Sequence, residues 1–174
     1  MSSLQDALLS CGLKVSNEPP IPGLKVNQSA ILAVNNPLPV PTVCPHCGSK
    51  VSLVNNSEIY GKPYGVWPYA YRCDDDKDGD ECDSYVGLHQ YTLIPLGTLA
   101  TAHIRSARKQ AKEAFNPLWQ ERHMDRSSAY KWLANALQIT RHEECHIGWF
   151  DSETCMKVVQ LCREKRNELQ SSNV

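Results

Sequence analysis

The sequence predicts an α+β chain in which a small antiparallel sheet bearing four cysteines is followed by a helical C-terminal unit. Three observations lead there. Residues 42–94 contain short runs rich in aromatic and β-branched side chains, separated by turn formers. Residues 95–174 switch to apolar side chains recurring at three and four positions. Finally, Cys44, Cys47, Cys73 and Cys82 all fall in the strand-rich part, which is too short to build a large core of its own.

Taken in order, residues 4–13 place Leu4, Ala7, Leu8 and Cys11 on one helical face, with Gly12 as a stop, and predict a short packing helix. Between Glu18 and Pro41, prolines at 19, 20, 22, 37, 39 and 41 remove backbone donors and favour extended geometry. This stretch is expected to be a spacer or an arm along the edge of the fold. Strands are predicted at 51–54, 67–72 and 84–88, with Asn55-Asn56, Gly61 and Gly79 at the turns.

A helix capped by Thr98 and running to about Phe115 follows, with Ala100, Ile104, Ala107, Ala111 and Ala114 on its inner face until Asn116-Pro117 interrupts it. A second helix is predicted over about 127–138, with Tyr130, Leu133, Ala134 and Leu137 facing inward. A third, after Asp151, buries Cys155, Val158, Val159, Cys162 and Leu169. The chain therefore divides into an N-terminal helix and Pro-rich arm (1–41), a cysteine-bearing domain with its following helix (42–119) and a helical extension (120–174).

The 174 residues carry a formal net charge of -1, so affinity for nucleic acid or an anionic membrane must come from local patches. No basic leader with an apolar run opens the chain, and no stretch reaches the roughly eighteen apolar residues of a membrane span. A cytoplasmic protein without membrane contact is expected. In that compartment the eight cysteines are reduced thiols or metal ligands rather than disulfides.

Their spacing points to metal. In Cys44-Pro45-His46-Cys47-Gly48, two intervening residues let one tight turn aim both sulfurs at one ion, and Gly48 permits the backbone conformation that follows. Cys73 and Cys82 supply the second pair across a hairpin. Four thiolates leave no open coordination position, so one structural Zn2+ is the expected cofactor. His46 is expected at the surface rather than among the ligands. Cys145, His146, Cys155 and Cys162 are not expected to form a second site, because Cys155 and Cys162 share an apolar helical face where free cysteine packs as a small hydrophobe.

The insertion between Cys73 and Cys82 reads DDDKDGDE; Asp74, Asp76, Asp78 and Gly79 match the first half of a calcium loop, but Tyr85 stands where the bidentate glutamate belongs. A solvated acidic loop, able to engage a basic partner, is the expectation. Arg105, Arg108, Lys109 and Lys112 repeat at three and four opposite the alanine face, and residues 98–141 hold eight Lys/Arg against Glu113, Glu121 and Asp125. Such a stripe suits phosphate contact. A catalytic reading would rest on His89, His103 and Asn116, but no His/carboxylate cluster with ligand spacing accompanies them, and His89 is expected to be structural.

CPHCG, the following YRC and the run CDSYVGLHQYTLIPLGTLATAHIRSARKQAKEAFNPLW together resemble a bacterial and phage family of unknown function, a zinc-finger-containing domain, over about Val43 to Trp119. The resemblance implies zinc at Cys44, Cys47, Cys73 and Cys82 and a zinc-ribbon fold, and no particular activity. The expected function is a non-catalytic zinc-binding module that contacts nucleic acid through Arg105, Arg108, Lys109 and Lys112. The alternatives are a protein-protein adaptor or inhibitor of phage or prophage origin acting on a host protein, and, third, a metal-supported nuclease.

Overall fold

The computed structural model describes residues 24–75, 82–121 and 123–171. The helix expected at 4–13 lies outside the described residues, as do Asp76, Asp78 and Gly79 of the acidic insertion. The chain divides into two compact units on either side of the Thr101/Ala102 bond.

The first unit is built on a three-stranded antiparallel sheet in the order β1-β2-β3, with β1 at Val51–Asn55, β2 at Tyr69–Cys73 and β3 at Tyr85–Gly87. Register sets Val51 opposite Cys73 and Tyr71 opposite Val86, so alternation sends these side chains to one face. There they pack with Cys44, Leu88 and Leu99 into a buried cluster. The second strand begins at Tyr69 rather than at 67, because Pro68 has no N–H to give a ladder; its carbonyl instead accepts from the Asn56 amide at 2.8 Å.

Two short helices stand where only arm and turn were expected. In α1 (Gln28–Leu32), Asn27 caps the N-terminus by accepting from the Ala30 amide at 3.1 Å, and Ile31 is buried. The Asn27 amide also donates to the Tyr91 carbonyl at 2.8 Å, which ties this part of the Pro-rich stretch to the loop after β3. In α2 (Ser57–Tyr60), Gly61 closes the helix in the left-handed region at φ +75°.

The second unit holds α3 (Ala102–Phe115), α4 (Pro117–Gln120), α5 (Arg126–Ala136) and α6 (Ser152–Ser171), with single 3-10 turns at His142–Glu144 and Ile147–Trp149. Helix α3 starts three residues later than its sequence suggests, because Ala100 is drawn into a bridge with Tyr85 and exchanges two backbone hydrogen bonds of 3.2 Å with it. Asp125 caps α5, accepting from the Ser128 amide at 2.9 Å, and Asp151 caps α6, accepting from the Thr154 amide at 2.7 Å. The core joins Phe115, Leu118, Leu133, Phe150 and Val158, with Phe115 edge-on to Tyr130 at 4.7 Å between centroids.

Candidate metal centre

The first cysteine pair is delivered by a turn. The Cys44 amide donates to the Ser49 carbonyl at 2.8 Å and the Gly48 amide to the Cys44 carbonyl at 2.9 Å, while Gly48 takes φ +78°, a conformation that costs an L side chain about 1–2 kcal/mol. Val43 and Lys50 bridge across the turn and lead directly into β1. The second pair comes from the sheet: Cys73 is the last residue of β2, and Cys82 lies three residues before the start of β3.

The four Sγ atoms all lie within 4.8 Å of one another. Cys44 and Cys82 are 3.6 Å apart and Cys47 and Cys73 are 3.3 Å apart. A disulfide needs about 2.0 Å. A tetrahedron of thiolates at zinc-sulfur bonds of about 2.3 Å has edges of about 3.8 Å. The spacing thus suits four ligands around one ion, and the donor set of soft sulfurs suits zinc. Among the described residues this is the one grouping of three or more Cys, His, Asp or Glu side chains with metal-binding geometry.

Electrostatics favour the same conclusion. Burial raises the Cys44 thiol, but bonds from the Ser84 hydroxyl, the backbone amides of His46 and Cys47 and the Cys47 side chain outweigh it and bring Cys44 down to about 6. Cys73 is pushed up, first by burial and then by the adjacent Cys47 sulfur, and Cys82 is likewise raised by burial. Without a cation, negative charge collects on Cys44 while Cys73 and Cys82 keep their protons. A divalent ion removes that conflict and displaces the protons.

The other candidates from the sequence are placed elsewhere. His46 is exposed, with Nε2 3.2 Å from the Leu99 carbonyl oxygen. Asp74, first of the acidic insertion, accepts from the Ser52 hydroxyl. His89 forms a turn after β3, its amide donating to the Ile94 carbonyl and its own carbonyl accepting from the Thr92 amide and hydroxyl. Cys145, Cys155 and Cys162 are buried in the helical core, and burial raises all three, Cys145 to about 11 and Cys162 to about 12.

On α3, Lys109 and Lys112 are exposed and Arg105 is half-buried on the same side; Lys109 is 3.9 Å from Glu113. Arg108 is engaged differently. Its Nε donates to the Phe150 carbonyl at 2.8 Å, and burial lowers the affinity of its guanidinium for its proton. Two features went unread in the sequence: the buried Ser84 between Cys44 and Cys82, and the cluster of Tyr60, Tyr64 and Tyr85. Two-residue spacing from Cys82 could have flagged Ser84. Nothing local links Tyr60 to Tyr85.

A turn and a small sheet that gather four thiols around one point define a zinc-binding module of the zinc-finger type. Residues 40–165 match a family described as a zinc-finger-containing domain, and the chain belongs to that family. The match extends well beyond the cysteines and takes in most of the helical unit. No curated protein and no solved structure matches the chain significantly. Among the described residues, no helix is long and apolar enough to cross a membrane.

Proposed function

We propose that Cys44, Cys47, Cys73 and Cys82 hold one structural zinc ion and that the helical unit contacts nucleic acid through Arg105, Lys109 and Lys112. The ion, when bound, cross-links the Cys44 turn to the β2 end and the start of β3. The observation carrying the nucleic-acid reading is the side of α3 shared by these three cations, clear of the face that packs into the core through Ala111 and Phe115. Charge distribution supports it: residues 102–174 carry twelve Lys/Arg against nine Asp/Glu, whereas residues 1–101 carry six against ten. Arg108, bonded to Phe150, serves to hold the helix against the loop before α6.

The test is fluorescence anisotropy of zinc-loaded protein with single-stranded and double-stranded DNA and RNA at two salt concentrations. Three phosphate contacts on duplex DNA give a log-log salt slope of about -3, and the double variant Arg105→Glu/Lys109→Glu removes about two contacts' worth. Salt-independent binding, or binding that the double variant leaves intact, rules the reading out.

A protein partner is the second reading, favoured by the tyrosine cluster of the first unit, where Tyr64 is 73% and Tyr60 49% exposed and both meet neighbouring rings edge-on. Absence of nucleic-acid binding at low salt makes it the leading one.

A further inference from the structure

On an extended chain, residues two apart face the same side, so Ser84 lies on the side of Cys82 and continues with Val86 and Leu88 toward the core. It is the polar member of an otherwise apolar series, and its side chain is entirely buried. Its Oγ is 3.1 Å from Cys44 Sγ and 3.3 Å from Cys82 Sγ, and those sulfurs are 3.6 Å apart. The residue is held in place by its carbonyl, which accepts from the Cys73 amide at 3.0 Å. A buried hydroxyl fixed in this way stays beside the two sulfurs.

In the metal-free protein either Cys44 or Cys82 can donate to Ser84 Oγ. Once both are zinc-bound thiolates neither carries a proton, and the hydroxyl hydrogen is the only side-chain one left in the trio. Four thiolates leave a +2 ion with an excess of two negative charges, which a buried donor disperses. Main-chain N–H groups serve these sulfurs as well: those of His46 and Cys47 serve Cys44, that of Asp75 serves Cys73 and that of Ser84 serves Cys82, so the Ser84 hydroxyl adds a side-chain donor to sulfurs already facing the backbone.

Resting on the zinc reading above, we propose that Ser84 is a positioning residue of the metal centre, whose hydroxyl donates to the Cys44 or Cys82 thiolate, orients the pair and raises zinc affinity. A partner that orients metal ligands in this way is typically worth about 10- to 100-fold in affinity. Full-length wild type, Ser84→Ala and Ser84→Thr are compared in two measurements: zinc competition against a chromophoric chelator at neutral pH, and the thiolate-to-metal charge-transfer band after cobalt(II) substitution. Ser84→Ala is expected to bind zinc about 10- to 100-fold more weakly, with its cobalt band shifted to lower energy as the thiolates become better electron donors. Ser84→Thr, which keeps the hydroxyl, is expected to restore both.

Wild-type affinity within about two-fold and an unchanged band in Ser84→Ala would overturn the assignment. Failure of wild type to take up either ion would instead overturn the zinc reading itself. Should Ser84→Ala not fold even in excess zinc, the Ser84 hydroxyl proton of zinc-loaded wild type decides: slow exchange with solvent upholds the bond to sulfur, and immediate exchange refutes it.

Discussion

Removing the metal should unfold the first unit and leave the helical unit standing. Of the seven buried members of the cluster around the thiols, two are Cys44 and Cys73 themselves; the remaining five are Val51, Tyr71, Val86, Leu88 and Leu99. At about 1.5–3 kcal/mol for each buried side chain, those five contribute about 8–15 kcal/mol. Structural zinc contributes about 10–16 kcal/mol in small zinc modules. The ion's share is therefore at least comparable with that of the apolar cluster, and it is of the same size as the net stability of about 5–15 kcal/mol that whole domains possess. The second unit has its own core around Phe115, Leu133 and Val158, with none of the four thiols in it. Hydrogen exchange followed by mass spectrometry, before and after chelation, checks this segment by segment. Peptides covering Val51–Asn55 and Tyr69–Cys73 should lose protection, while those covering Ala102–Phe115 and Ser152–Ser171 should retain it, and zinc should restore the loss. Protected strands in protein shown by elemental analysis to be zinc-free would refute the reasoning.

Zinc affinity should fall with pH, because Cys73 and Cys82 are raised in the metal-free protein and each must lose a proton to bind. Cys44 is depressed from its ordinary 9.0 to about 6, so its contribution to the metal-free fold is complete above 9.0 and is lost as pH falls through about 6, where the affinity curve should steepen. Calorimetry in buffers of different ionisation enthalpy counts the protons released; a pH-independent affinity between 6 and 8 would contradict the assigned protonation. In the helical unit, Phe115→Ala removes a fully buried ring and its edge contact with Tyr130, and should cost about 3–5 kcal/mol in urea unfolding of that unit. A loss under about 1 kcal/mol would mean that the core does not depend on this ring.

The local chemistry of the chain was readable wherever a feature depends on neighbours in sequence. The CPHCG turn, the strand at 51, the helix after Asp151 and the inward face of Cys155, Val158 and Cys162 all follow from short spacings and periodicity, and all are present in the structure. Spacing failed where a distant partner intervened. Thr98 caps well in principle, but the pairing of Ala100 with Tyr85 delays α3 to Ala102. Arg108 reads as one more cation in a stripe, and the hydrogen bond that its Nε donates to the Phe150 carbonyl, far along the chain, is visible only in the fold.

The α+β class, the four sulfurs able to share an ion and the change from strand to helix are legible in the amino-acid order, because thiolate spacing, side-chain alternation and 3.6-residue periodicity are set within a few residues. The tertiary structure alone decided which sulfurs lie closest, that Ser84 stands between two of them, and which cations of α3 stay at the surface. Those outcomes depend on strand register and on hydrogen bonds between residues tens of positions apart, and only the folded chain brings such residues together.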